Sequence, residues 1–246
     1  MKSISGFIFS LCFLALPCTL FSQEAATDTI LAPAKSESYG IRIGADLNRT
    51  ARNFYDKDYR GFEATGDYRI TKKLYAAAEI GTEKRTVDDD QLNFTANGSY
   101  IKIGADYNMH ENWPGLHNMI HLGFRYSIST FSQTLNSYNI YDNTGYFGET
   151  TIYPNREYNG LSAQWLEIVA GVKAEVLPNV YMGFSLRLHS LTSNKKPDGF
   201  DNLFIPGFNR TYANNVGTSF NYTISYFIPF YKKTEKSVEI KNKSVK

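Results

Sequence analysis

Between Gln164 and Leu191 the polarity of the chain alternates residue by residue. Leu166, Ile168, Ala170, Val172, Ala174 and Val176 share one parity; Trp165, Glu167, Val169, Gly171, Lys173 and Glu175 share the other. After Leu177-Pro178-Asn179 the alternation resumes, with Val180, Met182, Phe184, Leu186 and Leu188 against Tyr181, Gly183, Ser185, Arg187 and His189. Successive side chains of a strand point to opposite faces, so the pattern predicts a hairpin with one apolar and one charged face.

The same period recurs along most of the chain. It predicts strands at Tyr39–Asn48, Arg60–Ile70, Leu74–Glu83, Ser99–Asn108, Asn118–Ser129 and Val216–Phe230, which with the hairpin makes eight. Each is about ten residues long, enough to cross a bilayer at a tilt. No helical pattern remains to cover the apolar parity, and only a closed barrel satisfies every strand's backbone in lipid. The expected fold is therefore all-β: a closed, antiparallel, eight-stranded transmembrane up-and-down barrel. Connections 71–73, 109–117 and 177–179 are short, whereas 49–59, 84–98, 130–163 and 192–215 are long. That alternation matches short periplasmic turns and long extracellular loops. Segment 130–163 leaves room for strand tips outside the membrane or for a ten-stranded variant. The near copies Ile41-Arg-Ile-Gly-Ala-Asp46 and Ile101-Lys-Ile-Gly-Ala-Asp106 fall on strands of opposite direction, and read as one local solution used twice.

The charged parity fills the expected lumen. Its acids are Asp46, Glu63, Asp67, Glu79, Asp106, Glu167 and Glu175; its bases are Arg42, Arg69, Lys102, Arg125, Lys173 and Arg187. Glu83 is left out as an outer strand tip. An eight-stranded barrel is just wide enough for its side chains to fill it, and buried charge must be paired. An ion-pair plug is thus favoured over a conduction path. By parity the outer face carries no charge between Ile41 and Leu47, Ile120 and Ile128, or Leu166 and Leu188. Tyr39, Tyr68, Tyr107, Tyr226 and Phe230 are placed to form interfacial girdles.

Met1-Lys2 followed by the apolar run to Phe21 reads as a signal peptide over 1–22, cleaved between Ser22 and Gln23. A lipoprotein signal at Cys18 fits less well, because Pro17 precedes it. Residues 23–37 read as a periplasmic linker, 38–231 as the barrel and 232–246 as a basic periplasmic tail with six Lys against two Glu. Both cysteines, Cys12 and Cys18, lie in the leader, so the mature chain has no disulfide and no thiolate chemistry. The net charge of +2 and the lack of a basic stripe point away from nucleic acid. After the leader there is no apolar run long enough for a membrane helix.

Chemistry-bearing clusters are sparse. His110, Glu111 and His117 share a turn but fit no ligand motif. His121 reads as a lumen residue. His189 and Ser190 are adjacent, so a strand sends them to opposite faces, and no G-x-S-x-G is present. Asp88-Asp89-Asp90 reads as a solvated loop tip with hard-cation chemistry as the alternative. Tyr138, Tyr141, Tyr146, Phe147, Tyr153 and Tyr158 suit either sugar or protein contact or a self-packed loop. No catalytic residue, metal site or cofactor is assigned, and the chain is not expected to be an enzyme.

Four segments carry a resemblance: Tyr222-Thr-Ile-Ser-Tyr-Phe-Ile-Pro-Phe-Tyr231, Gln164-Trp-Leu-Glu167, Ile205-Pro-Gly-Phe-Asn209 and Ile101–Asp106. In these the chain resembles an uncharacterised outer-membrane barrel family of Gram-negative bacteria, a domain of unknown function. More distantly it is similar to small OmpA- or OmpX-type barrels. The resemblance implies the architecture and no activity. The expectation is a monomeric outer-membrane barrel in contact with outer-membrane lipid and lipopolysaccharide. Its role is structural or surface interaction, with an extracellular ligand at loops 130–163 and 192–215. The alternatives are a narrow channel for small hydrophilic solutes and a lipid-modifying enzyme.

Overall fold

The computed structural model describes residues 36–110, 118–140, 150–197, 199, 201–210 and 215–234. In chain order they form β1 (Ser36–Asp46), helix α1 (Leu47–Tyr55), β2 (Tyr59–Arg69), β3 (Leu74–Asp89), β4 (Leu92–Asn108) and β5 (Met119–Ile140). These are followed by β6 (Thr150–Ile152), β7 (Arg156–Leu177), β8 (Val180–Lys195), β9 (Phe204–Ile205), β10 (Asn209–Arg210) and β11 (Val216–Thr234). Eight long strands pair in the order β1-β2-β3-β4-β5-β7-β8-β11, and β11 returns to β1, so the ring is closed. Every pairing in it is antiparallel. Closure removes the sheet edge that hydrocarbon would leave unpaired.

The apolar parity points outward. Ile168, Leu186 and Ile224 are 53%, 56% and 40% exposed, whereas their neighbours Glu167 and Arg187 are 0% and 5% exposed. On β7 the outward stripe runs from Leu166 to Val176. Ten residue steps cover about 34 Å of strand, or about 26 Å of bilayer at a tilt near 40°, close to the usual apolar band. No helix among the described residues is long and apolar enough to cross a membrane; strands do the crossing. The architecture is that of a transmembrane β-barrel. The β7–β8 turn is held by Pro178 and by Asn179 at φ 65°, a left-handed conformation that Asn tolerates.

Three expectations are corrected, and the choice left open at 130–163 is decided for extended strand tips. Segment 84–98 is not a loop: β3 and β4 run on to a turn at Asp90-Gln91, paired out to Asp89 and Leu92. Segment 130–163 is mostly wall, since β5 extends to Ile140 and β7 begins at Arg156. The short β6 pairs only with Tyr138–Ile140 of β5, so the ring has eight strands and not ten. Segment 49–59 opens with α1, whose N-cap is Asp46; the Asp46 carboxylate accepts from the Asn48 and Arg49 amides. Tyr39 is not an exposed girdle residue: beside the β1–β11 register shift it is 6% exposed, stacked on Tyr231 and covered by the Arg69 guanidinium.

The core lies in the upper half, at the end opposite the β7–β8 turn. Tyr100, Phe131, Leu161, Ala163 and Trp165 on the inner wall pack against Ile205 and Phe208 of the β9–β10 hairpin. A second cluster joins Phe94 and Ala96 of β4 to Phe204.

Candidate functional site: lumen and vestibule

Period-two folding brings the inner-face charges of the eight strands onto one axis, where they stack in layers. Towards the end that carries the β7–β8 turn, Arg42 donates to Asp67 at 2.7 Å, and Lys173 reaches the same carboxylate at 2.6 Å. The Arg42 guanidinium lies between the Tyr75 and Tyr181 rings, at 5.0 and 5.3 Å. Arg69 pairs with Glu37 and covers the Tyr39 ring at 4.9 Å. Arg69 is thus inward, but its carboxylate partner lies outside the set expected from sequence.

The middle layer is the most densely linked. Arg187 contacts Glu79 at 2.6 Å and Glu167 at 3.1 Å. Arg125 contacts Asp106 at 2.7 Å and Glu79 at 3.3 Å. Lys102, 0% exposed, stands among Glu167, Glu63 and Glu79 at 3.1, 3.6 and 3.8 Å. Gly123 leaves the space that the Asp106 carboxylate uses; a Cβ there would sit 2.1 Å from it. Isolated, each of these charges would be prohibitively costly to bury; together their fields compensate. Glu175 stands apart: it makes no ion pair among the described residues, and its carboxylate accepts the Asn179 amide at 2.8 Å in the β7–β8 turn.

The upper layer contains what the sequence reading missed. Arg49 projects from α1 into the barrel, against Glu63 at 3.3 Å, Asp46 at 3.5 Å and, most closely, Glu83. Glu83 is not a solvated tip but is 1% exposed. It accepts from Arg49, from the Tyr59 hydroxyl and, at 2.6 Å, from the Gly207 amide of the hairpin. Asn221 donates to Asp46 and Glu63. Asp46 therefore serves both α1 and the lumen. The available signal for α1 was the spacing Leu47, Ala51, Phe54, Tyr55 behind an Asp N-cap.

His121 is inward and 3% exposed. His189 is inward and Ser190 outward. His189 Nε2 meets not Ser190 but Ser219 Oγ, at 2.9 Å, while its Nδ1 is 3.9 Å from Glu167, beyond hydrogen-bonding range. Glu167 is itself held by Trp165 Nε1 at 2.7 Å and by Lys102 and Arg187. Among the described residues no group of three His, Cys, Asp or Glu is arranged to hold a metal ion. Glu111 and His117 lie outside the described residues, as do Tyr141, Tyr146, Phe147, Ser22 and Gln23. Asp88, Asp89 and Asp90 sit at the β3–β4 turn.

Little space remains in the lumen. A cavity of about 30 Å³ beside His121, Asp106 and Arg187 has room for water alone. Above the ion pairs opens a vestibule of about 790 Å³. Its floor is Asp46, Arg49 and Glu83; its sides are α1, the tips of β3 and β4, the β9–β10 hairpin and the top of β11. Arg52, Arg85 and Arg210 alternate there with Tyr55, Phe94, Leu203 and Phe204. The volume suits a small molecule or one sugar-sized group.

Residues 4–233 match a family model described as a domain of unknown function (DUF6048). No curated protein matches the sequence. Among solved structures, that of Ail, the attachment invasion locus protein of Yersinia pestis, is 12% identical with a TM-score of 0.37. It covers 79% of this chain and 98% of its own.

Proposed function

Because the chain belongs to the family described as a domain of unknown function (DUF6048), we propose its role from its own geometry: a non-conducting outer-membrane barrel that presents an extracellular interaction surface. The observation that carries this reading is the double closure of the barrel. Ion pairs close the middle, with Lys102 fully buried among three carboxylates. Above them, Ile205 and Phe208 close the top by packing on Trp165 and Phe131. An ion crossing this path would have to displace both a paired charge and an apolar core. What stays open is the vestibule, and it faces outward.

Interaction is therefore assigned to the vestibule rather than spread along loops 130–163 and 192–215. Segment 204–210 acts mainly as the lid, and much of 130–163 as wall. The Arg and aromatic lining suits a ligand that combines a flat or apolar face with polar groups. A signal peptide cleaved between Ser22 and Gln23 and a periplasmic tail complete the proposal.

Planar-bilayer recording of the refolded mature protein tests it. The expected result is a silent bilayer. A steady ohmic conductance that scales with salt would favour the narrow-channel alternative and overturn the sealed lumen. Fractionation on a density gradient tests the location, with co-migration with outer-membrane markers expected.

A further inference from the structure

The outer wall beside α1 changes chemistry in rows that follow the hydrogen-bonding direction. Ala64, Ile80 and Ile101 are cross-strand neighbours in the apolar belt. One row up stand Phe62 and Thr82. The next row up holds Arg60 and Lys84, directly paired across β2 and β3 and both outward and exposed. Rows lie about 7 Å apart along the strands, so these two cations stand just beyond the hydrocarbon, at headgroup depth.

Two like charges directly opposite each other destabilise a sheet unless something neutralises them. Neither has a carboxylate within ion-pairing distance among the described residues. Arg60 is nonetheless held: one guanidinium nitrogen donates to the Asn53 and Tyr59 carbonyls at 3.0 and 3.1 Å, leaving the rest of its donors free. Asn53 in turn bonds both the amide and the carbonyl of Gly61, at 2.7 and 2.9 Å, which docks α1 on the β2 edge. On α1 the polar side faces the barrel and the apolar side faces away. Phe54 is 87% exposed there, next in sequence to Asn53, and Phe62 of the belt, next to the Gly61 that Asn53 bonds, is 50% exposed.

We propose that Arg60 and Lys84, flanked by Phe54 and Phe62, bind the phosphate of a phosphorylated glycolipid of the outer leaflet. This rests on the outer-membrane reading above. A tetrahedral phosphate offers oxygens to a guanidinium fork and an ammonium together. Exposed aromatic rings at the same height lie against the first methylenes of the acyl chains. The cation pair and the outward apolar face of α1 are thus two halves of one amphiphile site.

The test uses the mature protein, its fold verified by heat-modifiable gel migration and its insertion by vesicle flotation. Bound lipid is read by native mass spectrometry with three probes: bisphosphorylated lipid A, the same lipid A dephosphorylated, and inorganic phosphate. At least ten-fold preferential retention of the bisphosphorylated form is expected. Arg60→Gln with Lys84→Gln removes that preference while flotation is unchanged, and Lys84→Arg keeps it. Equal retention of the two lipids, or an undiminished preference in the double variant, overturns the site. So does effective competition by millimolar inorganic phosphate, which assigns the pair to a free anion. Failure to float overturns the membrane reading itself and is thereby told apart from failure of the site.

Discussion

The lower and upper halves of the same strands are built with opposite polarity. On β5, Ile120 to Ile128 face out, with His121, Arg125 and Ser129 inside; two residues further up, Phe131 and Leu135 are inside and Thr130 and Thr134 outside. On β7 the exchange falls between Leu166, outward and apolar, and Ser162 and Gln164, outward and polar, over the buried Leu161, Ala163 and Trp165. On β4 it falls between Ile101 and Ser99. The backbone alternation continues unbroken through the exchange; only the solvent changes. A strand that faces lipid must hide its charges in the lumen, and the same strand in water hides its apolar side chains instead. The neighbouring hydroxyls Thr82, Ser99, Thr130 and Ser162 follow that seam across four strands.

The comparison breaks most severely where an inward residue is removed. Glu79 compensates Arg187 and Arg125 and approaches Lys102. Glu79→Ala leaves Arg187 with Glu167 alone and Arg125 with Asp106 alone, a buried layer one negative charge short, and is expected to cost about 3–5 kcal/mol. Replacement by Gln, which keeps the volume, should recover only part. In the upper half the matching inward change is Phe208→Ala, which empties a contact with Trp165 at 5.7 Å and with His189 at 5.5 Å. About 3 kcal/mol is expected, the low end for a buried Phe, since a short hairpin can settle into the space. Urea unfolding of the refolded proteins in lipid vesicles measures both. If both variants unfold like the native protein, neither half is held by its interior.

Outward residues discriminate the halves more sharply. Val172→Arg places a cation in mid-belt, where Val172 is outward, and should cost about 2–4 kcal/mol. Thr134→Arg makes the same change above the seam, opposite Glu157, and should stay within about 0.5 kcal/mol of the native protein. Equal costs at the two positions would place the seam wrongly, or deny that it marks the bilayer surface.

This inversion also explains what the sequence could and could not reveal. Below the seam, bulky aliphatic residues alternate with full charges, and Gln164–Leu191 is legible as a membrane hairpin. Above it, the alternation is between aromatic or aliphatic residues inside and Asn, Ser or Thr outside. These polar residues are also turn formers, so Thr95, Asn97 and Ser132 blurred strands into apparent loops. Glu83 was misplaced because its partners, Arg49 and Gly207, come from segments read as irregular. Tyr39 was misplaced because a register shift leaves no mark in a parity count. The inward direction of Arg42, Lys102 and Arg187 was legible, but not which carboxylate each would meet, since that depends on which strands become neighbours and at what register.

A small loss is expected at the C-terminal cap of α1, and acid removes it. Asp56 ends α1 and pairs with Arg52 at 3.0 Å and with Arg85. Slight desolvation acts to raise its carboxyl, but the hydrogen bonds and charges of Arg85 and Arg52 outweigh this and hold it below the usual carboxylate range. A lowered folded value means that the contribution is present above the unfolded value, about pH 4, and is lost as pH falls through the folded one. The pairing is half in water, so Asp56→Asn should cost about 0.5 kcal/mol at pH 7. The difference in thermal midpoint between native and variant should then vanish by about pH 3, where the native carboxyl is protonated. A difference that persisted unchanged into acid would show that Asp56 acts through its shape at the helix end and not through its charge.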